Sequence, residues 1–533
     1  MKRTFLTHVK PIVAVLLLSL FTVSCNLDIE ETDSIITKQP PTGCDFNGVE
    51  DVAASLQNLY NDVYGQLGNQ EDFFALNEVS TDETLVPTRG TDWGDNGIWR
   101  TLHAHTWSPT HQYILRTWNN LNQNVFRATE IIDPLSAPTP QQEAEARFLR
   151  AFSMFFVLDL WGQAPFRNVC DGADVNPLVR SSAETYDFIL QDLTTALPNL
   201  PVVGPSAQTD RASQAAANFL LAKLYLNAHR YNGTGAPAAT DMDAAIAAVE
   251  AIEADGFMLE SGVTPQEYFG IFTETVDNET IWYARTSVGN RIWNGLHYNQ
   301  NSPDNTGGGW NGFTTLAEFY DLFDAPGDSN YAGEGQEPRR GWVPDAATAI
   351  PDGMPDANYG IGYGFLIGQQ YDGDGTPLTD RPGDPLVFTK ELPGLTGNSE
   401  SSGIRIIKYH PSNGSFTSHE IVFRFADAQL MKAEAILRGG TSADTPLGLV
   451  NELRGLRNAP LLAAVTEQDL LDERGRELYI EFWRRNDLLR FGQYTRDWEF
   501  KAPSAIGDVT KELFPIPATA LLSNPNLVQN PGY

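Results

Sequence analysis

Residues 466–494, TEQDLLDERGRELYIEFWRRNDLLRFGQY, decide how the rest of the chain is read. Their spacing predicts one helix. Thr466 with Asp469 three residues on is a capping-box pattern, and Gly492 stands where a C′ glycine would end the helix. Leu471, Leu478, Phe482 and Leu489 recur on one helical face. Glu481 precedes Arg484 and Arg485 by three and four residues, so the three share one side of a turn. So much charge around Trp483 invites an active-site reading. The competing reading is a buried, salt-bridged scaffold helix in which Arg474, Glu477, Arg484 and Asp487 form structural ion pairs.

Working outward, helical patterning recurs at 45–64, 111–132, 141–161, 210–230 (with Asp210 as N-cap), 241–254, 423–438 and 446–457. Phe148, Phe152 and Phe155 give 141–161 a broad apolar face, as in a helix buried between neighbours. Within 210–230, Leu221-Ala222-x-x-Tyr225 resembles part of a tetratricopeptide repeat, and several such pairs would stack into a helical scaffold. Between 256 and 420 Gly, Pro, Asn and Asp crowd in, with strand-like runs only at 280–285 and 404–409. A stretch this irregular inside a compact chain is usually functional.

At the start, Lys2, Arg3 and Lys10 precede the apolar run 12–23, then Ser24 and Cys25, which is a signal-peptide pattern. The small residue before Cys25 predicts lipidation there, an anchor that does not span the membrane. No later stretch approaches the ~18 apolar residues of a transmembrane helix. The expected organisation is a signal peptide 1–24, a tether 25–44, a first scaffold part 45–255 with a binding loop 85–107, a loop-rich ligand-binding subdomain 256–420, and a second scaffold part 421–533.

The chain has 36 Lys and Arg against 68 Asp and Glu, a formal net charge of −32. All three leader cations leave with the leader, so the exported protein is more acidic still. Such a surface repels phosphate backbones, and nucleic acid is not an expected partner. Export permits a disulfide between Cys44 and Cys170, but spacing alone leaves the pairing open. No G-x-S-x-G, H-E-x-x-H or Walker loop is present. Two carboxylates suffice for a glycoside hydrolase, and spacing among 68 acids does not exclude one.

Five motifs in order resemble the SusD/RagB outer-membrane lipoproteins. They are Glu145-Ala146-Arg147-Phe148-Leu149-Arg150-Ala151 with Leu160-Trp161-Gly162; Arg424-Phe425-Ala426-Asp427 leading to Lys432-Ala433-Glu434-Ala435; 451–457 (NELRGLR); Glu473-Arg474-x-Arg476-Glu477-Leu478 with Trp483-Arg484-x-x-Asp487-Leu488; and 513–533 (LFPIPATALLSNPNLVQNPGY). The resemblance implies a mainly α fold, a SusD-like helical scaffold of tetratricopeptide-like pairs with an irregular ligand-binding face. It implies a lipid-anchored, cell-surface protein of the outer membrane that binds a glycan without catalysis and hands it to a SusC-like TonB-dependent transporter. Some relatives bind peptides instead, and a secreted glycoside hydrolase on a helical scaffold remains the alternative from another class.

Sugars are bound by stacking C–H faces on aromatic rings and bonding hydroxyls to amides and carboxylates. Trp118, Trp161, Trp282 and Trp483 fall in regular elements and are expected in the core. Trp93, Trp99, Trp293 and Trp310 fall among Gly, Asn and Asp. The expected ligand-binding residues are Arg89, Asp92, Trp93, Asn96 and Trp99 in one loop, and Trp293, Tyr298, Asn299, Trp310 and Asn311 in another. Asp372, Asp374, Thr376 and Asp380 resemble a calcium loop, but Pro377 replaces the required Gly and the closing Glu is missing. A solvated acidic turn is expected there, and no cofactor. His103 and His105, with His111 beyond, lack a carboxylate or Cys to complete a metal set and read as a polar surface pair.

Overall fold

The computed structural model describes residues 44–533 except 173, 303–305, 326, 332–334, 345–359 and 412–414. The predicted signal peptide, Cys25 and the tether up to residue 43 lie outside the described residues. Eight helices come first: α1 (Val52–Gly68), α2 (Asp72–Glu78), α3 (Ile98–His103), α4 (Gln112–Ile132), α5 (Pro140–Trp161), α6 (Ser182–Ala196), α7 (Gln214–Tyr231) and α8 (Ala239–Ala254). Among its described residues, the loop-rich stretch carries the short α9 (Pro265–Gly270), α10 (Gly289–Gly295) and α11 (Ala317–Tyr320). Five helices follow: α12 (Phe425–Leu437), α13 (Pro446–Leu456), α14 (Glu467–Leu478), α15 (Arg484–Arg490) and α16 (Ala518–Ser523). The chain is mainly α, and sequence neighbours pair: α4 on α5, α5 on α6, α7 on α8, α12 on α13. No described helix is long and apolar enough to cross a membrane.

Strands are short and all their pairings antiparallel. β1 (Ala164–Phe166) pairs with β2 (Leu178–Arg180), and β3 (Thr280–Ala284) with β9 (Glu420–Arg424). β4 (Gly341–Trp342), β5 (Tyr363–Leu366) and β8 (Arg405–Ile407) form one sheet, and β6 (Gly368–Gln369) pairs with β7 (Val387–Phe388). The β3–β9 ladder brings the two ends of the irregular stretch together and sets them on the scaffold. Trp282 of β3 packs edge-on against Phe148 and Phe152 of α5, at ring-centroid distances of 5.2 and 5.0 Å, while Phe423 of β9 stacks on Phe219 of α7 at 4.2 Å. Trp118, Trp161, Trp282 and Trp483 are all core residues. Cys44 and Cys170 form a disulfide.

α5 shows how local sequence sets its own limits. Thr139 and Gln142 form a capping box, Pro140 occupies the first turn, and Gly162 ends the helix in the left-handed conformation. The carboxyl-terminal segment then straps its end. Phe514 N donates to Leu160 O at 2.9 Å, and the Trp161 indole donates to Pro515 O at 3.2 Å. Asn530 Nδ2 donates to both Trp161 O and Phe514 O.

Residues 466–494 are two helices, not one. The capping box at Thr466 and the Gly492 terminus form as the sequence indicates. Between them the chain breaks at Ile480 and Phe482, whose φ values are 51° and 73°. Tertiary acceptors take the freed backbone donors: the Glu83 carboxylate accepts from Ile480 N and the Glu78 carboxylate from Phe482 N. These two acids lie some 400 residues earlier in the chain, beyond any local rule. The break also reassigns Glu481. It pairs with Lys408 and Arg424 rather than with Arg484 and Arg485. Arg484 crosses Gly475, where an added Cβ would sit 2.9 Å from its Nη1, to form a two-pronged pair with Asp82 at 2.8 and 2.7 Å. Arg485 pairs with Asp159 at 2.7 Å.

Other differences have local causes. Asp210 does not cap α7. It ends a 3-10 turn, and Ser213 caps instead, accepting from Ala216 N at 3.1 Å. α1 begins at Val52 behind an Asp51 cap, not at residue 45. α2 and α6 are helices with no counterpart in the sequence pattern; α2 is only seven residues long, too short to show a helical period.

α14 is the meeting point of buried charge. Glu477 pairs with Arg424 at 2.7 Å, Arg457 at 3.0 Å and Arg339 at 3.1 Å. Glu473 pairs with Arg454, Arg339 and Arg476 at 2.6, 2.7 and 2.8 Å. Arg474 bridges Asp427 and Asp487, each at 2.8 Å. Burial raises the Glu473 pKa, but its three guanidinium neighbours more than offset this and hold it at about 2. Asp82 is likewise pulled up by burial and down by Arg484 and Arg496, to about 2.

Removing one partner of such a pair leaves a buried uncompensated charge, so Arg424→Ala is expected to cost about 3–5 kcal/mol of unfolding free energy in denaturant titrations. The pH dependence has a defined sign. The folded pKa of Asp82 lies below the unfolded value of about 3.9, so its contribution is fully present above that value and is lost as pH falls through about 2. The stability gap between wild type and Asp82→Asn is therefore expected to be equal at pH 5 and 7 and to narrow between pH 4 and 2; a gap unchanged at the acid end contradicts the pairing.

Candidate functional site

The loop after α2 turns tightly at 89–92, where Arg89 and Asp92 exchange backbone hydrogen bonds of 3.1 and 2.9 Å. Four of the next five residues enter the left-handed region, Trp93 at φ 61°, Asp95 at 34°, Asn96 at 50° and Gly97 at 81°, while Gly94 among them is right-handed. Left-handed backbone is costly for a bulky residue such as Trp and persists where the surroundings over-determine it. Here Arg100 of α3 donates to the carbonyls of Trp93 and Gly94 at 2.9 and 3.1 Å. The Trp93 indole N–H is fixed by Trp310 O at 2.7 Å. The ring lies over Gly312, where a Cβ would come within 2.7 Å of it.

Trp310 belongs to the loop after α10. Its N–H donates to Trp293 O at 2.5 Å, and Asn311 N donates to Leu296 O at 2.7 Å. The two aromatic stretches, some 200 residues apart in sequence, therefore form one surface. Trp310 is 36% exposed, Asn96 is exposed, and Asp92, Trp93, Trp293, Tyr298 and Asn299 are half-buried. Trp293 meets Phe416 edge-on at 5.6 Å.

A third stretch completes the surface, and pattern reading of the sequence did not single it out for binding. Arg381 lies with its guanidinium carbon 3.8 Å from the centre of the Tyr298 ring and pairs with Asp92 and Glu400, each at 2.5 Å. Tyr298 OH donates to the same Asp92 carboxylate at 2.8 Å, and Asn299 Nδ2 donates to Thr379 O at 2.7 Å. Partial burial raises the pKa of Asp92, yet bonds from Arg381 and Tyr298 bring it below the ordinary carboxylate range. Glu400 is also raised by burial and brought below its ordinary value by Arg381 and His297. Burial and the nearby Arg405 lower His297 to about 4, so it is neutral at pH 7. A lone Arg between Asp380 and Pro382 gave no periodic or motif signal that could have marked it.

Three expected ligand contacts are interior residues instead. Trp99 is 2% exposed and packs edge-on against Tyr113 at 5.0 Å and Phe313 at 6.0 Å, because residue 98 starts a helix there rather than continuing the loop. Arg89 is 1% exposed and donates to the carbonyls of Asn311 and Ser402. Asn311 is fully buried, its side chain bonding Glu400 O at 2.9 Å and Arg405 Nε at 2.7 Å. These residues support the surface from beneath. The histidines are interior too, not a surface pair: His103 bonds Glu499 O, His105 bonds Ser80 O and His111 bonds Ile98 O, each spacing a different backbone segment.

The acidic turn uses its oxygens internally. Asp372 Oδ1 accepts from Asp374 N and Thr376 N, Asp374 Oδ1 accepts from Thr376, and Asp380 Oδ1 accepts from Gly383 N and Asp384 N. No group of three or more His, Cys, Asp or Glu side chains suited to a metal occurs among the described residues.

Paired helices carrying an irregular, aromatic-bearing face define the SusD-like class. Residues 396–533 match the family model described as the SusD family, and residues 37–226 match the one described as starch-binding, associating with the outer membrane. SusD-type family models thus match both ends of the chain, and the chain is similar to the SusD/RagB family. It is 28% identical over 511 residues to the starch-binding protein SusD of Bacteroides thetaiotaomicron, covering 88% of this chain and 86% of that one. A SusD-like protein from Bacteroides fragilis superposes with a TM-score of 0.68 at 19% identity, covering 92% of this chain and 98% of the other. A structure titled as a laminarin-binding SusD-like protein superposes with a TM-score of 0.63 at 20% identity over 92% of this chain and all of the other, a likeness of fold.

The Arg381 pairs are half exposed, and exposed pairs contribute about 0–1 kcal/mol. Arg381→Ala is accordingly expected to leave global unfolding nearly unchanged while freeing the 379–400 loop from Tyr298 and Asp92. Limited proteolysis should then cut that loop faster than in wild type; equal cutting rates would remove its assigned positioning role.

Proposed function

We propose that this protein binds a glycan at the face formed by Trp93, Trp293, Trp310 and Tyr298, with Asp92, Asn96 and Asn299 reaching sugar hydroxyls. The supporting observation is the Trp93–Trp310 junction, which holds two indoles from distant loops on one solvent-facing surface through an indole-to-carbonyl bond of 2.7 Å. Pre-set rings lose little freedom on binding, so stacking on sugar C–H faces keeps more of its gain. The naming of one relative for starch and of a structural neighbour for laminarin supports a polysaccharide or oligosaccharide over a peptide.

In this reading the protein is anchored by a lipid on Cys25 at the outer face of the outer membrane and passes its ligand to a SusC-like TonB-dependent transporter. It performs no chemistry and needs no cofactor. A hydrolase requires one carboxyl kept protonated near neutral pH. Asp92 and Glu400, two acids on this face, are both held below their ordinary range despite partial burial, by Arg381 and its neighbours. The acidic surface also argues against a nucleic-acid ligand.

Trp310→Ala is expected to lower retention on immobilised starch-type or β-glucan polysaccharide at least tenfold, with the far-ultraviolet spectrum and unfolding midpoint unchanged. Retention equal to wild type in Trp93→Ala and Trp310→Ala together would overturn the face. Release of reducing ends from the bound polysaccharide would overturn the non-catalytic reading.

A further inference from the structure

We infer a second binding site, for a single neutral sugar ring or similar polyol, between α1 and α4. A cavity of about 250 Å³ lies there, away from the aromatic face; none of the residues of that face lines it. That space is large enough to receive one sugar ring.

Its chemistry is set by amides. Asn61, Gln66, Asn120 and Asn124 line the cavity, and each amide offers both donors and acceptors. The two acids on its wall are already neutralised. Asp62 pairs with Arg127, and Asp72 pairs with Arg116 at 2.6 Å, so neither carboxylate is left to recruit a cation. Phe73, 2% exposed, closes the base of the cavity with apolar surface.

Two features of this wall lack an explanation within the fold. Asn124 is 1% exposed, yet its Nδ2 finds no hydrogen-bond partner among the described residues. Buried polar groups are nearly always satisfied, and an unpartnered donor lining a cavity points to a hydroxyl acceptor that occupies it. Gly65 sits inside α1, where glycine disfavours helix. No packing requires it, because a Cβ built there meets nothing within 4 Å. The missing side chain leaves the cavity open and exposes bare helix to an occupant.

The site stands independently of the aromatic face and can fail without it. The test titrates the purified full chain with glucose, galactose and mannose by saturation-transfer NMR and calorimetry, with glucuronate and calcium chloride as charged comparisons. At least one neutral monosaccharide is expected to bind. Gly65→Gln, which fills the open space, and Asn124→Leu, which removes the unpartnered amide, should each weaken it at least tenfold. Polysaccharide retention should be unchanged in both, and monosaccharide binding unchanged in Trp310→Ala. The inference is overturned if no neutral monosaccharide binds, if binding survives both cavity variants, if only calcium binds, or if Trp310→Ala abolishes the monosaccharide signal, which would place it on the aromatic face.

Discussion

Three arginines from separate parts of the chain, Arg339, Arg424 and Arg457, converge on the carboxylate of Glu477, and all four side chains are almost fully buried. Glu279 and Glu481 complete the charge set through Arg424 and Arg457. Charges this deep are tolerated only when every partner is present, because desolvation outweighs any one attraction. The partners come from the irregular stretch, from the residue before β3, from β9, from the C-cap of α13 and from α14. The network can therefore form only when all of these are docked, and it discriminates against partly assembled arrangements more than it adds net stability.

The same reasoning explains the break after α14. A continuous helix through Tyr479–Trp483 would satisfy its own backbone, but it would carry Glu481 away from Lys408 and Arg424. Breaking the helix strands the N–H groups of Ile480 and Phe482, and the α2 region supplies Glu78 and Glu83 to accept them. Burial raises both carboxyls, Glu83 to about 7 and Glu78 well above its ordinary value, with the mutual Glu78–Glu83 interaction adding to the rise at Glu78. The first and last parts of the scaffold are thus joined through strained backbone, and the loop leading to Trp93 leaves directly from this joint.

The aromatic face depends on that frame. Its rings stand on loops whose backbones are tied to each other: residue 85 to 314, 88 to 395, 90 to 398. Arg89, Asn311 and Arg405 fill the space beneath and bond carbonyls there rather than a ligand. Much of the loop chemistry is spent on fixing loops, which leaves a small number of side chains facing outward.

Much of the fold was legible in the sequence because capping boxes, C′ glycines and 3.6-residue apolar spacing are local properties. α4, α5, α8, α12 and α13 fall close to where that spacing puts them, and Arg474, Glu477, Arg484 and Asp487 form the structural ion pairs expected of them. The order of motifs likewise gives the family, and the concentration of Trp among Gly and Asn marks both stretches of the site. What sequence could not supply was direction. Whether Trp99 faces in or Trp310 out, which acid takes which arginine, where 466–494 breaks, and that Arg381 joins the face all depend on groups hundreds of residues apart. Local spacing determines which segments are helical and amphipathic, because those energies come from near neighbours. Only the packed structure decides which buried charge finds its partner and which ring is left for a ligand, because desolvation is settled by everything that surrounds a group at once.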